Sequence, residues 1–347
     1  MNARADMPEP GLAELTALLR NGAGIGHKRD IDGVVRALGK HLHVPAPAAV
    51  RVGDDCAAIP DGDGYLLFAI EGFVNEFVAQ EPWFAGYCGV MVNVSDIYAM
   101  GGRPLAVVDA LWSRGGDAAT PLLEGLATAA EVYGVPIVGG HSNRRSDREQ
   151  LSVAILGRAK KLLTSFDARP GDNLVAALDL RGRFHEPYAY WDASSGAPAQ
   201  RLRQDLEVIA AIAEDGLAVA AKDISMAGTV GTALMLLECS GLGATIDLDA
   251  VPRPPGVPLQ RWLAAFPSFG FLLSVSDAKL AAVLARFEAR GIACAAIGRC
   301  DGTRQVRLRR GRSGPCETLW DFNREALIGC GPTPLPAPLA GEGGHAG

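Results

Sequence analysis

Residues 86–100 constrain the fold most, because they combine the length and apolar character of a buried helix with polar groups on one face. Asn93, Asp96 and Met100 recur at helical spacing, so the pattern predicts that they share that face. Gly101 and Gly102, with Pro104 soon after, should end the helix. A buried unpaired carboxylate is costly, so we expect Asp96 to meet a metal, a cation or strong donors. A helix-packing aspartate bonded to backbone amides is the alternative.

A β-hairpin is predicted just before this helix. Its strands are residues 56–60 and 65–70. The turn between them, Asp61-Gly-Asp-Gly64, has typical hairpin-turn chemistry. This geometry would bring Asp54, Asp55 and Glu71 together at the open end of the hairpin. Acidic groups from distant parts of the chain are therefore expected to converge.

The length of 347 residues favours two domains, since a single hydrophobic core rarely grows so large. Strands and helices alternate over residues 50–159, where residues 105–112 are the strand expected after the apolar helix. The same mixture returns over residues 170–325. Residues 160–169 are the predicted boundary.

The two ends of the chain differ from these domains. Residues 1–49 are predicted to be an N-terminal segment with helices at 11–20 and 30–40, joined by a flexible, glycine-rich and basic loop at 21–29. Residues 332–347 are rich in Gly, Pro and Ala, so we expect a disordered tail.

Composition argues against several classes of function. The formal charge of −6 disfavours binding to nucleic acid, which needs clustered Lys and Arg. There is neither an apolar run of membrane-spanning length nor a signal peptide, so we expect no membrane partner and a cytoplasmic location. The seven cysteines are scattered and suggest neither a disulfide framework nor a zinc site.

Four segments together carry a resemblance to a known superfamily. They are Gly53-Asp-Asp-Cys-Ala-Ala58, Asn93-Val-Ser-Asp-Ile-Tyr-Ala-Met-Gly-Gly-Arg-Pro-Leu105, Val138-Gly-Gly-His-Ser142 and Asp223-Ile-Ser-Met-Ala-Gly228. In this order and spacing the sequence resembles aminoimidazole ribonucleotide (AIR) synthetase, thiamine-monophosphate kinase, selenophosphate synthetase and the hydrogenase-maturation dehydratase. It is most similar to the AIR-synthase-related subgroup. The likeness covers roughly residues 50–310.

The resemblance implies a mixed α/β (α+β), PurM-like fold of two domains. The N-terminal domain would pair with a second copy into a dimeric β-barrel, and helices would cover the C-terminal sheet. ATP would lie near that interface with Mg²⁺ beside it. The expected partners are therefore ATP, an unidentified small-molecule substrate and a second subunit of a homodimer.

The same resemblance assigns roles to individual residues. The expected metal ligands are Asp55, Glu71 and Asp96. The expected catalytic residues are Asp96, His141 and Asp223. The expected nucleotide-binding residues are Lys28, Asp54, Asp55, Asn93, Gly139, Gly140, Ser225 and Gly228.

Several of these positions leave alternatives open. Glu71 and His141 stand where relatives carry aspartate, so His141 could bind phosphate, act as an acid or base, ligate a softer metal or be structural. Asp223 or Ser225 is expected to cap the helix that follows, and that helix end could hold an anion or simply be capped. Lys28 could close over phosphates from its loop or remain a solvated charge.

The function indicated is an ATP-dependent enzyme that phosphorylates a small molecule or activates its oxygen as a phosphate. A non-catalytic nucleotide-binding scaffold or regulatory subunit is the main alternative, and a metabolite-binding protein that has lost ATP is another. Residues 181–192 are unusually rich in aromatic and arginine residues, and they are either a substrate lid or a packed surface loop.

Overall fold

The computed structural model describes residues 9–41, 50–115 and 117–332. The helices are α1 (Leu12–Arg20), α2 (Ala23–Leu38), α3 (Asn75–Gln80), α4 (Pro82–Ala99), α5 (Thr120–Tyr133), α6 (Ala199–Glu214), α7 (Gly228–Ser240), α8 (Leu259–Leu263) and α9 (Asp277–Glu288). The strands are β1 (Ala57–Asp61), β2 (Gly64–Gly72), β3 (Arg103–Trp112), β4 (Ile137–Asn143), β5 (Gln150–Ala159), β6 (Asn173–Leu178), β7 (Arg183–His185), β8 (Tyr190–Asp192), β9 (Ala220–Asp223), β10 (Gly243–Asp247), β11 (Phe266–Pro267), β12 (Gly270–Val275), β13 (Ala293–Asp301), β14 (Gln305–Arg309) and β15 (Cys316–Asp321). Among the described helices, none combines the length and apolar character needed to cross a lipid bilayer.

The first sheet has the strand order β1-β2-β5-β3-β4, and only the β3–β4 pair is parallel. The predicted hairpin is confirmed as β1 and β2, and the strand expected at 105–112 is confirmed as β3. Helix α4 confirms the apolar helix, although it begins earlier, at Pro82, because proline is tolerated in a first turn. It ends as expected: Gly101 has a φ of 77°, and the N–H of Gly102 donates to the Ile97 carbonyl at 3.0 Å.

The second sheet has the order β15-β14-β10-β13-β6-β12-β9 and is covered on both faces. Alternate residues of β6 show this directly. Val175 and Ala177 belong to a core shared with α4, α6 and the first sheet, whereas Ala176 belongs to a core with α7 and α8. The mixed α/β architecture is therefore confirmed. The exact domain boundaries and the pairing into a dimeric barrel remain predictions.

The glycine-rich segment 21–29 is not a loop, and this prediction was wrong. Helix α2 begins at Ala23 and runs through the segment. A Cβ on Gly24 would lie 2.7 Å from the Ala227 backbone, so the glycine permits close helix packing. Buried Ile25 anchors the same turn. The segment's side chains are consequently held by a helix against the second sheet's core.

Helix α1 belongs to the same assembly, because buried Leu15 and Leu19 lie in the core beside α7. Of the predicted tail, residues 333–347 lie outside the described part of the chain. The expected disorder there stays a prediction.

Candidate active site

A cavity of about 550 Å³ lies where α2, α4 and the strand β9 meet. One end is acidic and is lined by Asp54, Asp55, Glu71, Asp96 and Asp223, with the basic residues His27, Lys28 and Lys222 beside them. Much of the remaining wall is apolar and includes Phe73, Val74, Phe77, Phe84, Cys88, Met91, Val92, Tyr190, Met226, Met235 and Phe266. This size and this division suit a small-molecule site.

Three carboxylates converge at the acidic end, and we call Asp55, Asp96 and Asp223 the carboxylate cluster. One oxygen from each lies within 4.8 Å of the others. Asp55 precedes β1, Asp96 lies on α4 and Asp223 ends β9. Three separate parts of the chain therefore meet at one point.

Helical geometry explains how Asp96 reaches the cavity. Phe84, Cys88, Val92 and Asp96 recur every four residues along α4, and all four line the cavity. Side chains four residues apart lie nearly above one another on a helix. Asp96 is thus the polar end of an otherwise apolar stripe.

The carboxylates of the cluster are buried and repel one another. Burial, followed by the charges of Asp223, Glu71 and Asp55, raises the pKa of Asp96 well above its usual range. Burial and the charge of Asp55 raise the pKa of Asp223 to about 8. Oδ2 of Asp96 is buried and has no hydrogen-bond partner among the described residues. A divalent cation would supply the missing partner, and carboxylate oxygens are the donors that Mg²⁺ prefers.

Lys222 is a residue of this site that the sequence reasoning missed. Its side chain is buried, forms an ion pair with Asp55 and lies 3.9 Å from Oδ1 of Asp54. Burial lowers the pKa of the ammonium group, but the charges of Asp55 and Asp54 outweigh burial and raise it. Lys222 therefore stays charged. The only sequence signal was a lysine within the otherwise apolar run before Asp223.

Asp54 lines the cavity, yet both of its carboxylate oxygens accept hydrogen bonds within the protein. Its carboxylate accepts hydrogen bonds from the backbone N–H of Ser165 at 2.7 Å and from the Ser165 hydroxyl at 2.6 Å. Burial raises its pKa to about 6. The group holds the segment before β1 in place, and its expected nucleotide contact stays a prediction.

Asn93 does not line the cavity, and its expected nucleotide contact requires correction. Its side-chain amide donates to the carbonyls of Gly89 at 2.8 Å and Val153 at 3.1 Å. Asn93 is offset from Asp96 by about 60° around the helix axis. This offset places its side chain against β5 and outside the cavity. Asn93 ties α4 to the first sheet.

His141, Gly139 and Gly140 also lie apart from the cavity within this chain. All three belong to the exposed strand β4. His141 pairs with Ala110 of β3, and its ring centroid lies 6.0 Å from that of Trp112. Strand pairing puts His141 in line with Ala110 and Ser152 on the sheet face opposite α4. Within one subunit these residues therefore do not line the cavity in which the catalytic and nucleotide contacts were expected.

The remaining candidates divide as follows. Glu71, Lys28 and Ser225 line the cavity. Gly228 does not, because it begins α7 with its backbone packed against Ala264. The expected helix cap is wrong: Ala227 precedes α7 with a φ of 87°, and neither Asp223 nor Ser225 caps it.

Residues 181–192 form β7 and β8, which pair as a hairpin. The hairpin packs closely, since Phe184 meets Trp191 edge to face at 5.2 Å. It nevertheless contributes Tyr190, Trp191 and Asp192 to the cavity. The segment is therefore a packed wall of the site.

Two domain families match this chain. Residues 53–159 match the N-terminal domain of AIR synthase related proteins, and residues 189–311 match the C-terminal domain. An uncharacterized protein from Synechocystis sp. is 46% identical over 92% of this chain and 98% of its own length. The chain belongs to the AIR synthase related family.

Two further proteins are similar at lower identity. Thiamine-monophosphate kinase from Pyrococcus abyssi is 29% identical over 75% of this chain and 86% of its own length. The structure of T. maritima PurL complexed with AMPPCP superposes with a TM-score of 0.70 and 23% identity, covering 90% of this chain and 51% of PurL. This chain thus spans about half of that PurL chain, and the superposition supports the fold.

Proposed function

We propose that this protein is an ATP-dependent enzyme that transfers a phosphoryl group to an oxygen atom of a small molecule. The observation that carries the proposal is the carboxylate cluster: three carboxylates share one point, and an oxygen of Asp96 is buried there without a partner. So much unbalanced negative charge is costly unless a cation joins it.

Mg²⁺ is the cation we assign to Asp55, Asp96 and Asp223. When bound, it would neutralise charge on the phosphates during transfer. Lys222 keeps Asp55 in place and offsets part of the acidic charge, while Asp54 anchors the same segment through Ser165. Glu71, which also lines the acidic end, is an outer member of the site.

ATP is the proposed phosphate donor. Lys28 lies on α2 at the acidic end, where its charge interacts with Glu71 and Asp223. Its ammonium group is suited to the terminal phosphates, and Ser225 offers a hydroxyl nearby. T. maritima PurL, which has the same fold, is known in complex with the ATP analogue AMPPCP.

The proposed step is balanced as a phosphoryl transfer. The acceptor oxygen forms a bond to the γ-phosphorus, and the bond from that phosphorus to the bridging oxygen breaks. ADP leaves, and the proton of the acceptor hydroxyl passes to water. Cyclisation or dehydration of the phosphorylated product could follow in the same cavity.

A homodimer belongs to the same proposal. The outer face of the first sheet exposes large apolar side chains, including Phe68 at 49% and Ile70 at 66%. A contiguous apolar face of this kind marks an interaction surface. Pairing two such faces would bury them, and it would put His141 at the interface.

The test of the proposed function compares Asp96→Asn with Asp109→Asn. Asp109 is a partly exposed carboxylate of β3 outside the cavity, so its variant has the same loss of charge. Binding of AMPPCP is measured by calorimetry with Mg²⁺ and with EDTA. Wild type and Asp109→Asn should bind only with Mg²⁺, whereas Asp96→Asn should lose this binding while remaining folded.

ATP turnover is then measured with a library of metabolites. Stimulated ADP release by wild type, absent in Asp96→Asn, would support the enzyme. Tight AMPPCP binding without turnover for any metabolite would favour a scaffold or regulatory subunit. Mg²⁺-dependent binding that survives in Asp96→Asn would refute the site.

A further inference from the structure

The end of the cavity away from the carboxylate cluster is built from aromatic side chains of both domains. We call Phe77, Phe84, Tyr190 and Phe266 the aromatic wall. Phe77 meets Phe84 at 6.2 Å and Tyr190 at 5.2 Å, and Tyr190 meets Phe266 at 6.0 Å, all edge to face. These contacts join α3, α4, β8 and β11 into one continuous surface.

The aromatic wall is preorganised by packing behind it. The ring of His185 stacks on Phe84 at 3.9 Å, and Tyr188 stacks on Tyr190 at 5.2 Å. Phe77 and Phe84 are almost fully buried. Aromatic rings pack well against other rings, so the wall favours a flat aromatic ligand. Because the rings are already fixed, little side-chain freedom is lost when such a ligand binds.

Among the described residues, neither a lysine nor an arginine lines this end of the cavity. No arginine from the described part of the chain lines the cavity. Two lysines line the cavity at its acidic end. Lys222 forms an ion pair with Asp55, and the charge of Lys28 interacts with those of Glu71 and Asp223. A phosphate is usually held by arginine or by a free lysine.

An acidic group lies beside the wall. Asp192 lines the cavity next to Tyr190 and Trp191. Its Oδ1 accepts hydrogen bonds from the backbone N–H groups of Ser194 and Ser195, both at 2.9 Å, which hold the carboxylate in place. A second negative group would be repelled there.

We infer that the acceptor is a flat, uncharged aromatic molecule without a phosphate group, bearing a hydroxyl that reaches the carboxylate cluster. The ring would lie on the aromatic wall, and the hydroxyl would point toward Asp55 and Asp96. This inference rests on the proposed function, since it assigns the cavity's second ligand.

The test uses two probes that differ only in a phosphate on the ring edge opposite the hydroxymethyl group: 2-naphthylmethanol and 6-(hydroxymethyl)-2-naphthyl phosphate. Each is titrated by ligand-observed NMR into the full-length protein with Mg²⁺ and saturating AMPPCP. The alcohol should bind saturably and without displacing AMPPCP. The phosphate ester should bind at least tenfold more weakly, because its anion would lie at the aromatic wall beside Asp192 and away from the lysines of the acidic end.

A matched pair of variants locates the probe. Phe266→Ala removes a partly buried ring of the wall, whereas Phe184→Ala removes a partly buried ring that does not line the cavity. Phe266→Ala should weaken binding of the alcohol by roughly tenfold, and Phe184→Ala should leave it within about twofold.

The outcomes separate this inference from the proposed function. If AMPPCP does not bind with Mg²⁺, the proposed function fails. If AMPPCP binds but the alcohol does not, or the phosphate ester binds as tightly, the acceptor class is wrong. If the alcohol displaces AMPPCP, the aromatic wall holds the nucleotide base instead, and the inference is overturned.

Discussion

Replacing Lys222 with methionine removes a buried cation that faces two carboxylates. Lys222 is 5% exposed, and methionine has a similar length without the charge. Removing one partner of a buried ion pair costs about 3–5 kcal/mol, because the remaining charge is left uncompensated. The structure indicates the lower end of this range.

The reason is that Asp54 and Asp55 differ in how many stabilising contacts they keep after the substitution. Asp54 keeps both hydrogen bonds from Ser165. Asp55 loses its ion pair and keeps the backbone N–H of Asp223 at 3.3 Å. We therefore expect Lys222→Met to lower the free energy of unfolding by about 3 kcal/mol in EDTA.

Mg²⁺ should reverse much of this loss, because the cation takes over the neutralisation of Asp55. Urea unfolding of wild type and Lys222→Met, each in EDTA and in Mg²⁺, measures both effects. Stabilisation by Mg²⁺ should be larger in the variant than in wild type.

Arg103→Met is the matched control. Arg103 also contacts two carboxylates, Glu207 and Glu214, but its side chain is 37% exposed. Surface ion pairs contribute about 0–1 kcal/mol, and this one lies outside the cavity. Equal losses in the two variants, or a Lys222→Met protein that does not respond to Mg²⁺, would refute the reasoning.

Three further predictions concern pH, assembly and packing. Burial holds the pKa of Asp223 at about 8 against an ordinary 3.8, so the metal-free protein should lose stability as the pH rises between these two values. Because Mg²⁺ binds the ionised form, the increase in Tm that it causes should grow from about pH 6 to about pH 9, and a pH-independent increase would contradict this. Phe68→Glu puts a charge on the exposed sheet face and should turn a dimer into a monomer in analytical ultracentrifugation; an unchanged mass in solution would exclude pairing through that face. Gly24→Val should lower Tm by several degrees, because its Cβ would lie 2.7 Å from the Ala227 backbone. Gly26→Val, with open space around it, should lower Tm much less, and similar decreases in Tm would argue against the packing role of Gly24.

Much of the first domain was predictable from local signals. The apolar run at 86–100 and the two glycines after it determine a helix and its end, and turn chemistry determines the hairpin. The resemblance then paired Asp55 with Asp96, and the structure brings them together in the carboxylate cluster.

The errors came from information that a sequence does not contain. Gly24 and Gly26 have low helix propensity, yet both lie within α2, where Gly24 packs against the Ala227 backbone. The sheet face on which His141 lies depends on strand pairing, which the residues of its own motif do not determine. Lys222 was missed because its significance comes from Asp54 and Asp55, which are distant in the sequence.

The most direct test of the central claim is to locate the cation. Crystals grown with Mn²⁺ and AMPPCP would show it by anomalous scattering. The account expects one peak within roughly 2.2 Å of an oxygen from each of Asp55, Asp96 and Asp223, with a phosphate oxygen also bound. A peak elsewhere, with the three carboxylates free of metal while AMPPCP is bound, would contradict it.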